Sequence, residues 1–164
     1  MAKFAHLALV LAASTLMASS YQPEPVIPPA PTFQVSVLPD STLKDVAIAV
    51  YHPEHPRIYV NPRLMKRLSP ALQAFFLAHE YAHIDLRHTR ASALRAPAAS
   101  RNEALQEKEL EADCLATRRL ALDDPAAAQA AIRFFRRQGD SSYDAEHPTG
   151  TRRADNIAAC LGAE

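Results

Sequence analysis

Residues 70–88 constrain the fold of this 164-residue chain more than any other stretch. Ser69 followed by Pro70 is typical of a helix start, because serine can cap the first turn and proline needs no donor there. One face of the predicted helix carries both apolar residues and histidines: Leu72, Phe75, Phe76, His79, Ala82, His83 and Leu86. The chain must therefore pack a long helix whose buried face includes two imidazoles, and a buried imidazole needs a partner.

The sequence HEYAH, residues 79–83, suggests what that partner is. His79 and His83 are four residues apart, so their rings lie one helical turn from each other and can face one metal ion. Glu80, beside the first histidine, is placed to act as a general base toward a water molecule. Either histidine alone would be interpreted as a hydrogen-bonded core residue. The two at ligand spacing, with glutamate between them, favour a zinc site.

A third ligand is expected from the acidic cluster ELEAD, residues 109–113, because catalytic zinc commonly takes three protein ligands. Ser100 and Glu103 form a predicted capping box that opens the helix carrying this cluster. Glu109 shares the inward stripe of that helix with Leu105, Ala112, Ala116 and Leu120. Asp113 lies one turn further on the same face, where it can accept the second ring proton of a ligand histidine. The other glutamates are predicted to be solvated: Glu103, Glu107 and Glu111.

His88 is a competing third ligand, and its spacing excludes it. The metzincin pattern requires glycine at position 86 and histidine at position 89, whereas this chain has Leu86 and Thr89. A helix that continues through Arg87 would also carry His88 away from the metal-facing side. His88 is therefore predicted to be a polar residue near the helix end, where imidazole complements the helix dipole.

The rest of the domain is predicted to be α+β, with a small antiparallel or mixed sheet followed by about four helices. Short β-branched or alternating runs separated by proline-containing turns predict strands at residues 33–38, 46–51 and 58–60. The first two helices are predicted from Ser69 to about residues 87–88, and from Ser100 to about residue 122. Asp124 and Pro125 open a third helix that Gly139 ends, and Thr151 caps a fourth that ends just before Gly162.

The N-terminal residues predict export. Lys3 precedes an apolar run at residues 7–18, and small residues stand before a cleavage point ahead of Tyr21. The run is shorter than the ~20 residues of a spanning helix, so residues 1–20 are predicted to be a signal peptide, with an uncleaved anchor as the alternative. Residues 21–31 form a proline-rich spacer and residues 32–164 the domain. The mature chain is expected to be periplasmic or secreted, without a stable membrane span.

Charge and cysteine content limit the remaining possibilities. Lysine plus arginine and aspartate plus glutamate number 18 each, so no broad field of one sign is available to recruit nucleic acid. Cys114 and Cys160 are compatible with one disulfide, and two buried, reduced side chains fit equally well. Two thiols alone do not make a structural zinc site.

Taken together, the motifs resemble the HtpX-like and CaaX-prenyl-protease-like gluzincin peptidases, whose signature is HExxH followed by ExxxD on a later helix. The likeness covers about residues 45–160 and includes Asn61-Pro62, the two motif helices and the late element His147-Pro148 with Arg153. It implies a zincin-like fold and a zinc cofactor. It also implies that His147 lies near the metal as a transition-state donor or displaceable ligand, and that Arg153 braces the site. The chain departs from this family in being short, in lacking transmembrane helices and in joining its motif helices briefly.

The sequence therefore predicts a zinc-dependent endopeptidase that hydrolyses exported or envelope proteins. The edge of the sheet near residues 46–60 is predicted to hold an extended peptide, and the loop at residues 89–99 to gate the cleft. Two alternatives stay open. One is a zinc-binding scaffold or chaperone-like peptide binder with little activity, and the other is a structural helical module whose histidines belong to the core.

Overall fold

A computed structural model describes residues 34–89, 95 and 97–162. Its three-stranded sheet consists of β1 (Ser36–Pro39), β2 (Ala47–Val50) and β3 (Arg57–Val60). The central strand β3 pairs with β1 in parallel and with β2 in antiparallel orientation, so the sheet is mixed. The predicted signal peptide and proline-rich spacer lie outside the described residues, and the domain boundaries stay predictions.

Within the described residues, five α-helices follow the sheet and confirm the α+β class. They are α1 (Pro62–Met65), α2 (Pro70–Asp85), α3 (Arg101–Asp123), α4 (Pro125–Gln138) and α5 (Gly150–Leu161). The short helix α1 was not predicted. It forms because the Asn61 side chain accepts hydrogen bonds from the backbone of Arg63 and Leu64, while its amide donates to the Leu43 carbonyl. Among the described helices, none is long and apolar enough to cross a membrane.

The predicted helix starts are only partly right. Ser69 caps α2 by accepting a hydrogen bond from the backbone N–H of Leu72. Ser100 does not form the predicted capping box, because it ends a short 3-10 helix (Ala98–Ser100) and its hydroxyl donates to the Pro97 carbonyl. The cap of α5 is Thr149, which accepts from the backbone N–H of Arg152, and Thr151 lies inside the helix.

The end of α2 also differs from the prediction, and the difference affects the site. The helix stops at Asp85 because Arg87 adopts a left-handed conformation with φ of 53°. Arg87 N–H bonds the Ile84 carbonyl at 3.0 Å, and His88 N–H bonds the His83 carbonyl at 2.9 Å. This pair of bonds is a Schellman motif, with arginine where glycine is usual. It folds the chain back over the last turn of α2.

Helix α2 lies between the sheet and the other helices, which is why its histidines are interior. On the sheet side Ile84 packs with Ala47 and Ile58. On the other side the core includes Leu72, Phe75, Ala116, Ala127, Ala131, Phe135, Ala154 and Ile157. The many buried alanines at these contacts let α2, α3, α4 and α5 approach closely.

Two further features fix α5 against its neighbours. Cys114 on α3 and Cys160 on α5 form a disulfide, which is one of the two states that the sequence allowed. A Cβ added at Gly150 would lie 2.4 Å from the Phe135 carbonyl oxygen, so only glycine lets α5 begin directly against the end of α4. Arg153, one turn into α5, is thereby held beside α3.

Candidate metal centre

Helices α2 and α3 bring three predicted ligands together. The Nε2 atoms of His79 and His83 are 3.0 Å apart. The carboxylate of Glu109 reaches both, with one oxygen 3.2 Å from His79 Nε2 and the other 3.3 Å from His83 Nε2. The residues that the structure describes contain no other such group of three. Glu109, the residue predicted as the third ligand, therefore lies within reach of both histidines.

These three atoms have the spacing and chemistry of a zinc site. Ligands at 2.0–2.1 Å around a tetrahedral ion would be about 3.3 Å from each other, close to the separations of 3.0, 3.2 and 3.3 Å. Two imidazole nitrogens and a carboxylate direct several lone pairs at one point. A cation at that point would relieve the repulsion between these lone pairs. The donor set fits zinc, and Cys114 and Cys160 are unavailable as ligands because they are bonded to each other.

His79 is oriented from behind by a buried ion pair. Its Nδ1 lies 2.9 Å from Asp113 Oδ1, and Asp113 is bound by Arg153 through Nε at 2.8 Å and Nη2 at 2.6 Å. The guanidinium also stacks over the Phe135 ring, 4.1 Å from its centroid. Because Nδ1 faces a carboxylate, it carries a proton, and Nε2 is the atom directed at the metal position. Asp113 and Arg153 therefore lie behind His79, and their roles at a metal site stay predictions.

The charges around His79 shift the pKa values of the group. Burial alone would lower the pKa of His79, but its contacts with Asp113 and Glu109 outweigh burial and raise the pKa to about 10. Burial would raise the pKa of Glu109, but His79 and His83 hold it well below its usual range. Asp113 behaves in the same way, because Arg153 and His79 offset its burial and lower its pKa. Without metal, the cluster is a network of ion pairs in which His79 carries the proton that a cation would displace.

His83 is approached from behind by His88, which contradicts the prediction that His88 leaves this face. Because α2 ends at Asp85, the Schellman turn returns His88 to the site, with its Nδ1 3.1 Å from His83 Nδ1. The opposite nitrogen of His88 lies 3.1 Å from Glu111 Oε2. Burial, followed by the neighbouring charges of His83 and Lys108, lowers the pKa of His88 to about 4, so the ring is neutral.

Glu80 stands beside the cluster, not within it. Its side chain is buried, with 7% of the residue exposed, and burial raises its pKa. The charges of His79 and His83 and a backbone hydrogen bond from Ala49 offset part of that rise. A carboxyl with a raised pKa next to a metal position has the properties of a general base that exchanges protons with water.

The loop between α4 and α5 supplies the other wall of the site. His147 Nε2 is 4.0 Å from Glu109 Oε2, and His147 Nδ1 is 2.8 Å from Asp144 Oδ1. Although burial opposes it, hydrogen bonding by His147 and by backbone amides lowers the pKa of Asp144. Tyr143 packs edge-on against the His147 ring. The structure therefore places His147 beside Glu109, and its role there stays a prediction.

A cleft of about 410 Å³ opens at these groups. Its lining includes residues on and just before β2, on both motif helices, in the α4–α5 loop and on α5, among them Val46, Ala47, Ile48, Ala49, His79, Glu80, His83, Glu109, Tyr143, His147 and Arg153. The cleft is large enough for several side chains of a peptide. The predicted gating loop falls mostly on residues outside the described ones, and its role stays a prediction.

Sequence reasoning missed the partners that hold His83 and His147. Asp144 lies three residues before His147, a local spacing that could have suggested a contact between their side chains. Glu111 was assigned to solvent and is indeed 62% exposed, yet its carboxylate contacts His88. No glycine marks the turn at Arg87, so the position of His88 could not be predicted from the sequence.

Comparison with known proteins gives the family. Residues 32–138, more than half of the chain, match the IrrE N-terminal-like domain, Peptidase_M78. Searches of curated proteins and of solved structures found no match. The matched family is zinc metallopeptidase-like, which supports the broader part of the predicted resemblance and does not show membership of the HtpX-like or CaaX-prenyl-protease-like group. The chain belongs to the Peptidase_M78 family of IrrE N-terminal-like domains.

Proposed function

We propose that this chain is a zinc-dependent endopeptidase. The observation that carries the proposal is the position of Glu80, a buried carboxyl with a raised pKa immediately beside the His79, His83 and Glu109 triad. A purely structural helical module would not need three ligand atoms converging at tetrahedral spacing. A passive zinc scaffold would not need a proton-exchanging carboxyl next to them.

His79, His83 and Glu109 would hold the zinc ion. When bound, zinc would supply Lewis acidity that makes a water molecule more acidic and the scissile carbonyl more electrophilic. The Asp113–Arg153 pair keeps His79 in the tautomer that offers Nε2. The protein's contribution is thus a preorganised set of lone pairs that does not need to rearrange.

Glu80 moves the proton. It accepts a proton from water as the water oxygen bonds to the carbonyl carbon, and it delivers that proton to the amide nitrogen as the C–N bond breaks. A raised pKa suits both halves of this exchange, because a strongly acidic carboxyl would accept a proton poorly. The products are a carboxylic acid and an amine, and Glu80 ends as it began.

His147 is proposed to stabilise the charge that develops on the carbonyl oxygen. Asp144 Oδ1 accepts a hydrogen bond from His147 Nδ1–H and leaves Nε2 facing the proposed metal position, where it donates in the imidazolium form. The likeness of His147-Pro148 and Arg153 to the late element of HtpX-like peptidases supports a role at this point. Arg153 acts indirectly, through Asp113.

The proposed substrate is an extended segment of an exported or envelope protein. Strand β2 is an edge strand, and residues 46–49 line the cleft, so a peptide can add to the sheet beside Glu80. The Cys114–Cys160 disulfide supports export, because disulfides persist in oxidising compartments. Export itself is proposed from the signal-like residues 1–20.

The direct test compares cleavage of unfolded casein by wild type and Glu80→Gln, both loaded with zinc. We expect wild type to cleave and the variant to lose at least 100-fold in rate, the order of magnitude of general-base catalysis. Glu103→Gln, an exposed site on α3, is the matched control and should retain full activity. Zinc binding without cleavage in wild type would favour the alternative, a zinc-binding peptide scaffold.

A further inference from the structure

We propose that His88 and Glu111 position His83 as a metal ligand by determining which of its ring nitrogens carries the proton. The proposal rests on the zinc site proposed above. The sequence pattern assigned neither residue a role, since His88 was expected to leave the metal-facing side and Glu111 to be solvated. In the structure they form one continuous chain of polar contacts that ends at His83.

The contacts set the direction of the protons. Glu111 Oε2 can only accept, so His88 Nε2, 3.1 Å away, carries a proton. His88 Nδ1 faces His83 Nδ1 at 3.1 Å, and this contact is favourable only if one of the two nitrogens carries a proton and the other is a lone pair. A metal ion at His83 Nε2 places that proton on His83 Nδ1, with the His88 Nδ1 lone pair as its acceptor. His83 Nε2 is consequently left as a lone pair, 3.3 Å from Glu109 Oε1, at the metal position.

His88 is a positioning residue and not a fourth ligand. It contacts Nδ1 of His83, which lies on the opposite side of the ring from the atom that faces Glu109. The two rings are 5.1 Å apart at their centroids and inclined by 66°, so His88 also restricts rotation of the His83 ring. The group of ligand atoms around the metal position does not include His88.

The backbone supports the same arrangement. His88 N–H bonds the His83 carbonyl, so the two residues are joined both through the main chain and through their side chains. This second connection exists because Arg87 takes a left-handed conformation that disfavours every residue with a Cβ. The His88 side chain is only 9% exposed, whereas that of Glu111 is 62% exposed. Water can replace the Glu111 carboxylate more readily than it can replace His88.

The test is the zinc dissociation constant of the full chain, measured by competition with a chromogenic chelator. His88→Leu removes the acceptor and should weaken zinc binding about 10- to 100-fold, the usual effect of losing a partner behind a ligand histidine. His88→Asn keeps an acceptor oxygen near the position of Nδ1 and should recover most of that loss. Glu111→Leu should weaken binding by roughly threefold, because solvent partly replaces the carboxylate.

Two controls separate an effect on the position of His83 from an effect on folding. One is a set of matched variants outside the site, and the other is the free energy of unfolding of each variant. His55→Leu and Glu103→Leu change exposed residues outside the site and should leave the zinc affinity unchanged. A His88→Leu chain that folds and binds zinc within twofold of wild type would overturn the proposal, as would equal losses in His88→Leu and His88→Asn. If His88→Leu fails to fold, Glu111→Leu decides, and an unaltered affinity there overturns it. Absence of zinc binding in wild type would instead refute the metal site, and with it the positioning role of His88 and Glu111.

Discussion

The two histidines of the proposed zinc site are supported in contrasting ways. Behind His79 stand Asp113, which is completely buried, and Arg153, which is 8% exposed. Behind His83 stand His88 and then Glu111, whose side chain is 62% exposed. The first support is a desolvated ion pair within the core, and the second is a chain of neutral and charged groups that ends in solvent. Changes to Asp113 or Arg153 should therefore lower the stability of the fold as well as metal affinity. Changes to His88 or Glu111 should affect mainly metal affinity.

This difference follows from the elements that carry each support. Asp113 and Arg153 connect α3 with α5, which the Cys114–Cys160 disulfide also joins. His88 and Glu111 connect the turn after α2 with the outer face of α3. Removing one partner of a buried ion pair leaves an unpaired charge away from water, which is far more destabilising than losing an exposed contact.

The largest expected effect is that of Asp113→Ala. It leaves the Arg153 guanidinium buried without its partner and should lower the free energy of unfolding by about 3–5 kcal/mol. Urea unfolding of the metal-free protein measures the loss. The double variant Asp113→Ala/Arg153→Met should recover part of the stability and none of the zinc affinity. A loss below about 1 kcal/mol in the single variant would contradict the claim that the Asp113–Arg153 pair is essential to fold stability.

The next effect is a pH dependence of the metal-free chain. The folded pKa of His79 is about 10 against 6.5 in the unfolded chain, so the folded state binds more protons between these values. The resulting stabilisation is complete below pH 6.5 and is lost as the pH rises through 10, with a total on the order of a few kcal/mol. Urea midpoints between pH 6.5 and pH 10 test this. The zinc-loaded protein is the control and should lack this decline, because the ion replaces the proton.

Arg87→Gly is expected to stabilise the fold, by a smaller amount than the losses described above. Glycine adopts the left-handed conformation without a Cβ penalty, and part of that gain is lost because glycine makes the unfolded chain more flexible. The free energy of unfolding should rise by about 0.5–1 kcal/mol. Zinc affinity should stay the same, because the turn still returns His88 to His83. A decrease in stability measured by urea unfolding would contradict the Schellman turn at this position.

The smallest effect is predicted for Glu111→Gln, and it is on zinc affinity. This variant tests whether the exposed Glu111 contributes a charge or only a hydrogen-bond acceptor. The amide oxygen of glutamine can still accept from His88 Nε2, so zinc affinity should change by less than about threefold. Chelator competition gives the value. A loss as large as that of His88→Leu would mean that the negative charge, and not the acceptor, is what Glu111 contributes.

Much of this site could be predicted from the sequence because its signals are local. His79, Glu80 and His83 lie on one helix, and a period of 3.6 residues is enough to place them together. Glu109 and Asp113 follow from the same periodicity on α3, because their apolar neighbours identify the inward face. The three strands and the order of the long helices follow from equally local patterns of apolar residues and turns, whereas the choice between an antiparallel and a mixed sheet does not.

The residues that could not be predicted depend on backbone geometry that the sequence does not signal. Arg87 ends α2 in a conformation for which glycine is the usual marker, so the helix was extended and His88 misplaced. Ser100 and Thr151 had the right chemistry for caps, but the Ser100 hydroxyl bonds the Pro97 carbonyl instead, and Thr149 caps α5. Competing caps a few residues apart differ by little free energy, and tertiary packing selects between them.

The position of the metal tests the proposed zinc site most directly. Anomalous diffraction at the zinc edge, recorded from crystals of the zinc-loaded chain, measures that position. We expect a single strong peak bonded to Nε2 of His79, Nε2 of His83 and the Glu109 carboxylate, and no such peak in crystals of Glu109→Ala. A peak elsewhere, for instance at the exposed and stacked His52 and His55 rings, or no peak at the triad, would contradict the proposed zinc site.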